Sequence, residues 1–280
     1  METLYGFLMQ VLPFEWAEHR FMLNAFLAVL LVTPLFGLLS TMVVSSRMAF
    51  FSDSLGHGAF TGIAIGVLLG SVSPLLSLVV FSVAFAIFIT YIKTKSTAST
   101  DTIIGVFSST AIALGLMLMS YGGGFNKFSS YLIGDILSVT PTDLGALAIV
   151  FLLVLVAWGL LFNQLLVLSI NASFARSRGI RAFWVESAFA SLLAVIVAIS
   201  IQWVGILIIN ALLVLPAAAA RNVASNVKQY HAVSVLVALL SGIMGLLLAY
   251  YFNMAAGATI VVVAAVFFFL TLVLKPYFVR

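Results

Sequence analysis

The stretch FFSDSLGHGAF (50–60) sets an aspartate, Asp53, four residues before a histidine, His57. On a helix that spacing puts both side chains on one face. A carboxylate and an imidazole together suit zinc, manganese or iron(II), with no thiolate to favour a softer metal. Two donors do not close a tetrahedral site. An ion held here therefore takes further donors, takes a second copy of the chain, or is held only in passing. Transport requires passing occupancy, because a site that holds its ion too well cannot release it. The same residues allow a plainer reading, in which Ser52-Asp53 caps a helix and His57 bonds to Asp53.

Other chemistry is scarce. The chain has no cysteine, which removes disulfides, thiolate ligands and thiol nucleophiles together. Asp101, Asp135 and Asp143 fall at segment ends, and no nucleophile–base pair is visible. An intramembrane hydrolase is therefore a weak reading. His19 and His231 also fall at segment ends, where they read as interfacial residues. YGGGFNKFSS (121–130) has glycines and a lysine but lacks the spacing of a phosphate loop. The chain carries no nucleotide-binding motif of its own, and nothing in it calls for nucleic acid.

The elements that must position Asp53 and His57 follow from composition. Of 280 residues, 64% are hydrophobic and 7% charged, where a soluble domain carries roughly a quarter charged. Apolar runs of spanning length, about twenty residues, recur along the chain. Runs such as ALAIVFLLVLVAWGLLF (146–162) do not alternate, which excludes a transmembrane barrel. The expected class is all-α: a polytopic helical membrane protein with eight or nine membrane segments. Candidates are 21–43, 53–70, 74–92, 102–120, 143–162, 186–201, 203–220, 231–252 and 257–274. They form one membrane domain over 1–280, led by an amphipathic segment, 1–20, that has Glu2, Glu15 and Glu18 and lacks the basic region of a signal peptide.

With these segments as crossings, Arg47, Lys93, Lys95, Arg176, Arg178, Arg181, Arg221, Lys228, Lys275 and Arg280 share one side, ten of the twelve basic residues. That side is cytoplasmic by the positive-inside rule, and the amino terminus lies outside. Arg20 and Lys127 oppose the trend. Local signals mark helix starts: Thr140 with Pro141 and Asp143 in TPTD, Asp101 as a cap, and Glu186 where the dipole favours an anion. The longest polar interruption, LSINASFARSRGIRAFW (168–184), predicts a short basic helix ended by Gly179. It reads either as a loop obeying the charge rule or as a docking element for a soluble partner. Pro216 kinks or ends a span, the small residues around Gly257 permit close packing, and Asn253 stands near a membrane face.

VVSSRMAFFSDSLGHGAFTGIAIGVLLG (43–70) resembles the signature of the permeases of zinc, manganese and iron ABC importers. DTIIGVFSSTAIALGLMLMS (101–120), YLIGDILSVTPTDL (131–144), FARSRGI (174–180) and VGILIINALLVLPAAAAR (204–221) resemble further blocks of that family in the family's order. The resemblance runs from about residue 21 to 274. It implies the ABC importer permease fold in a bacterial inner membrane, as a homodimer or pseudo-dimer surrounded by lipid. It also implies cytoplasmic ATPase partners that carry the ATP, and an extracytoplasmic metal-binding protein. On the same grounds Asp53 and His57 fall on the metal path. Residues 170–182 fall on a cytoplasmic coupling helix that would engage the ATPase through Asn171, Phe174, Ala175, Arg176, Arg178 and Gly179. The family often has Asp where this chain has Asn171 and Asn253, and the latter removes a charge near a gate. Asp135 is a further pathway candidate. No permanently bound cofactor is expected, only the transported ion. The rival reading is a secondary transporter with Asp53, His57 and Asp135 as a proton or cation relay; it requires no docking helix at 171–181.

Overall fold

A computed structural model describes residues 5–6, 9–10, 14–70, 74–122 and 135–278. Residues 1–4, 7–8 and 11–13 of the amphipathic 1–20 segment, residues 123–130 of the glycine loop with Lys127, the start of the 131–144 block and Arg280 lie outside them. All regular structure among the described residues is helical. The principal helices are α1 (Arg20–Ser45), α2 (Ala49–Leu69), α3 (Pro74–Lys95), α4 (Thr100–Gly122), α5 (Pro141–Ile170), α6 (Ala172–Ser177), α7 (Ala182–Val204), α8 (Ile206–Leu212), α9 (Leu215–Val223), α10 (Val227–Phe252) and α11 (Ala256–Phe278). Short 3-10 turns cover Glu15–Glu18 and Ile136–Ser138.

Eight stretches among the described residues are long and apolar enough to cross a membrane: α1, α3, α4, α5, α7, α8 with α9, α10 and α11. The sequence reading placed α2 in the same class. Its 21 residues reach about 31 Å at 1.5 Å per residue, the thickness of a hydrocarbon core. Several helices outrun their apolar windows. α5 continues to Ile170 rather than stopping near 162, and α7 begins at Ala182 rather than 186. Hydropathy reports where lipid ends; the backbone ladder continues until a cap stops it.

The stops are local chemistry. At the start of α5, Asp143 accepts from the Thr140 N–H at 2.9 Å while Thr140 Oγ1 accepts from the Asp143 N–H at 3.3 Å, a reciprocal box with Pro141 at the first position. At α4 the cap is Ser99, whose Oγ accepts from the Thr102 N–H at 3.1 Å. Asp101 is not the cap; it sits in the first turn. The span predicted at 203–220 breaks at Leu213–Val214 and restarts with Pro216 in the first turn of α9. The break is surrounded by protein: Leu212, Leu213 and Ala217 are fully buried, as irregular backbone at membrane depth requires.

The chain forms two compact units. The first comprises Met1–Thr41, Gly134–Leu153 and Trp203–Arg280. There α10 packs on α11, α9 packs on both, and α8 lies against α11. Small residues set the spacing. A Cβ at Gly245 would sit 2.5 Å from the Ile260 Cα, and one at Gly37 would sit 2.9 Å from the Val235 Cα. Beside Gly37, the buried hydroxyls of Ser40 and Ser234 lie 2.9 Å apart, the polar adhesive common between membrane helices. Gly257 lets Ile208 of α8 approach α11, which is the packing role its small neighbours suggested. The second unit comprises Met42–Ile133 and Val154–Gln202; in it α2 packs on α3 and α4.

Candidate functional site

α2 starts at Ala49, right after a tight turn in which Met48 N–H reaches the Val43 carbonyl at 2.8 Å and Arg47 takes a left-handed φ of 56°. Asp53 is therefore about 6 Å and His57 about 12 Å along the α2 axis, both in its first half. The helix start also rules out one of the plainer readings. Ser52 and Asp53 do not cap the helix; Ser52 is inside it, with its hydroxyl 3.2 Å from the Ala49 carbonyl. The other plain reading survives alongside the functional one, since His57 Nε2 stands 3.4 Å from Asp53 Oδ1.

Around this pair α2 is held on two sides. Gly58, Gly62 and Gly66 recur every four residues and face α3. A Cβ at Gly62 would lie 3.0 Å from the Phe81 Cβ and 3.1 Å from the Leu78 Cα, so the two backbones come close there; Gly58 faces the Phe81 and Phe85 rings and Gly66 the Ser77 side chain. On another face the buried Thr61 hydroxyl donates to the Ala111 carbonyl of α4. Phe51 and Leu55 are buried, whereas the side chains of Asp53 and His57 are 47% and 38% exposed. The packing of α2 thus leaves its carboxylate and imidazole open on the surface of the single chain. Among the described residues no third His, Asp or Glu joins them.

The basic loop is a short, fully capped helix. Asn171 Oδ1 accepts from the N–H groups of Ser173 and Phe174 at 2.9 and 3.0 Å, a capping role that Asn fills as well as Asp does. At the other end Gly179, with φ 78°, is the left-handed residue of a Schellman motif. Ile180 N–H bonds the Ala175 carbonyl and Gly179 N–H bonds that of Arg176, each at 3.0 Å. Ala175 is buried, Phe174 is half exposed, and the Arg178 guanidinium lies 4.9 Å from the Phe174 ring centroid. Arg176, Arg181 and Trp184 line an open groove where this loop enters α7.

Glu186 is not a helix-start anion. It is the fifth residue of α7, and it pairs with Lys93 Nζ at 2.9 Å. The ring of Phe183 meets Tyr91 edge-on at 6.5 Å. Sequence reasoning missed this contact. Its only trace was two charges, each near the end of an apolar helix.

Asn253 and Asp135 both stand at element ends, Asn253 through its backbone conformation and Asp135 through a side-chain cap. Asn253 takes φ 50° at the end of α10, where Met254 N–H returns to the Ala249 carbonyl at 3.0 Å. Asn tolerates this left-handed conformation better than most residues. Asp135 Oδ1 accepts from the Leu137 N–H at 3.0 Å and starts the 3-10 turn.

Residues 18–275 match the model of a family described as the ABC 3 transport family. The chain belongs to that family. A zinc uptake system membrane protein, ZnuB of Buchnera aphidicola, is 29% identical over 82% of this chain and 88% of its own length. A manganese import system permease protein, ScaB of Streptococcus gordonii, is 29% identical over 85% of each. Among solved structures, PsaBC from Streptococcus pneumoniae in complex with Fab superposes with a TM-score of 0.76 at 29% identity, over 97% of this chain and 95% of that one. The chain is thus a multi-pass membrane transport protein with the ABC importer permease fold, and not a catalytic subunit.

Proposed function

We propose that this chain is the permease subunit of an ATP-driven importer for a divalent metal ion, zinc, manganese or iron(II), in a bacterial inner membrane. The observation that carries this reading is the half-exposed Asp53–His57 pair on a helix of spanning length. A carboxylate facing hydrocarbon is costly, and such residues usually face a bundle interior or a pathway. A second copy of the chain set against α2 would cover the pair and complete the donor set with two carboxylates and two imidazoles. The ion would be held by hard and borderline donors only, weakly enough to leave.

The capped 171–181 segment, with Phe174, Ala175, Arg176, Arg178 and Gly179, is the surface that engages the cytoplasmic ATPase. ATP is bound and hydrolysed there, on the partner, and an extracytoplasmic binding protein delivers the ion. The whole chain then acts as one permease domain. Asn253 and Asp135 lie toward the outer entrance, where an amide at 253 in place of a carboxylate weakens the attraction for a dication. Support comes from the zinc and manganese systems named for two relatives.

Metal uptake by cells that express the full transporter tests the reading. Asp53→Ala and His57→Ala abolish uptake while membrane abundance of the protein is unchanged; near-normal uptake in both variants removes the pair from the path.

A further inference from the structure

α6 leads through Gly179–Arg181 directly into α7, and two side-chain contacts join the first two turns of α7 to the end of α3. Lys93 Nζ and Glu186 Oε2 are 2.9 Å apart, with only about a quarter of each side chain exposed. Tyr91 and Phe183 meet edge-on beside them. Phe183 and Trp184 also pack edge-on, so the aromatic contact reaches the groove at the loop. Nearer its start α3 lies against the glycines of α2, with backbone at Gly62 and with side chains at Gly58 and Gly66. Leu78 and Phe81 lie against Gly62, the Ser77 side chain lies against Gly66, and Phe81 and Phe85 lie against Gly58. Every one of these residues belongs to the second compact unit, as do Asp53 and His57.

We infer that the Lys93–Glu186 ion pair, seated on the Tyr91–Phe183 contact, is the joint through which displacement of the 171–181 segment reaches the helix carrying Asp53 and His57. The inference rests on the importer reading above and adds two positioning residues to it. Its physics is simple. A glycine seam such as that between α2 and α3 leaves no slack, so α3 and α2 move together. α7 has no comparable seam with α3, and a charge-assisted bond is what ties its cytoplasmic end to that pair. Without the bond the loop still docks and still moves, but α3 no longer follows it.

The chain has no cysteine and the pair is outside the proposed ion path, so charge variants can be read cleanly. The experiment uses the complete transporter with its ATPase and binding protein in proteoliposomes, with zinc and manganese each supplied as the ion. Ions imported per ATP hydrolysed are compared for wild type, Lys93→Met, Glu186→Gln, the swap Lys93→Glu/Glu186→Lys, and the conservative Lys93→Arg. Residues on a coupling route change coupling by about two- to thirtyfold; a loss of about tenfold is expected in each neutral variant. Co-purification with the ATPase is expected to be unchanged, with recovery in the swap and in Lys93→Arg. A merely structural pair would lower the yield of complex and leave the ratio of the assembled complex intact, which overturns the inference. A ratio unchanged in both neutral variants, or equally low in the swap, also overturns it. Wild-type uptake that proceeds without ATP overturns the importer reading itself, and is seen before any variant is made.

Discussion

Two glycines on α10, three residues apart, should respond oppositely to rescue. An alanine at 245 would place its Cβ 2.5 Å from the Ile260 Cα, 2.7 Å from its Cγ1 and 2.8 Å from its N. Carbon atoms rest about 3.5–4.0 Å apart, so α10 and α11 must separate by about 1 Å. Overpacking of this kind costs about 1–3 kcal/mol, and a backbone obstacle puts Gly245→Ala at the upper end. On the scale of soluble domains of this size, where 1 kcal/mol moves the midpoint by roughly 2–4 °C, the apparent unfolding temperature in detergent should fall by about 6–12 °C. An alanine at 242 meets side chains instead: the Thr33 Cγ2 at 2.5 Å and the Val29 Cγ1 at 2.7 Å. Thr33→Ser with Val29→Ala removes both atoms and keeps the hydroxyl that bonds the Val29 carbonyl, so this pair should restore most of the loss in Gly242→Ala. Ile260→Ala should not rescue Gly245→Ala, because the obstructing Cα and N remain. Gly159, with nothing near its Cβ position, is the control; alanine there should be neutral or stabilising by up to about 1 kcal/mol from helix propensity. A midpoint for Gly245→Ala within measurement error of wild type, or rescue by Ile260→Ala, would refute the reasoning.

Three further outcomes follow from the loop, the α10 turn and the capping box. Asn171→Ala should remove a cap worth about 1 kcal/mol and reduce ATPase co-purification, while Asn171→Asp should match wild type in the same assay. Asn253→Asp should keep the left-handed turn, leave stability unchanged and raise uptake at limiting metal; identical uptake takes position 253 off the path. Thr140→Ala should destabilise the start of α5 by about 1 kcal/mol, read as faster amide exchange over the first turn, with transport unaffected; equal exchange in the two proteins would deny the box its stabilising role.

The helical membrane fold was legible because composition alone forbids a water-covered globule. Caps with one unambiguous candidate were legible too: Thr140 with Asp143, and Gly179. At α4 two residues compete within three positions, and geometry chose Ser99 over Asp101. The ends of α5 and α7 were misplaced because apolarity and helicity stop for different reasons. Asp53 and His57 could be paired from spacing, since four residues on a helix fix proximity. The Lys93–Glu186 contact spans 93 positions, and no local pattern encodes which of several same-side charges will meet. The capping role of Asn253 was likewise hidden, because φ is set by how α10 must turn into α11.

The most direct measurement is metal-stimulated ATP hydrolysis by the reconstituted transporter, with zinc, manganese and iron(II) compared, in wild type and in His57→Ala. An importer whose ion passes Asp53 and His57 should show stimulation by at least one of these metals that disappears in His57→Ala while the complex remains assembled. Metal movement through the chain without any ATPase, driven by an ion gradient, would contradict it.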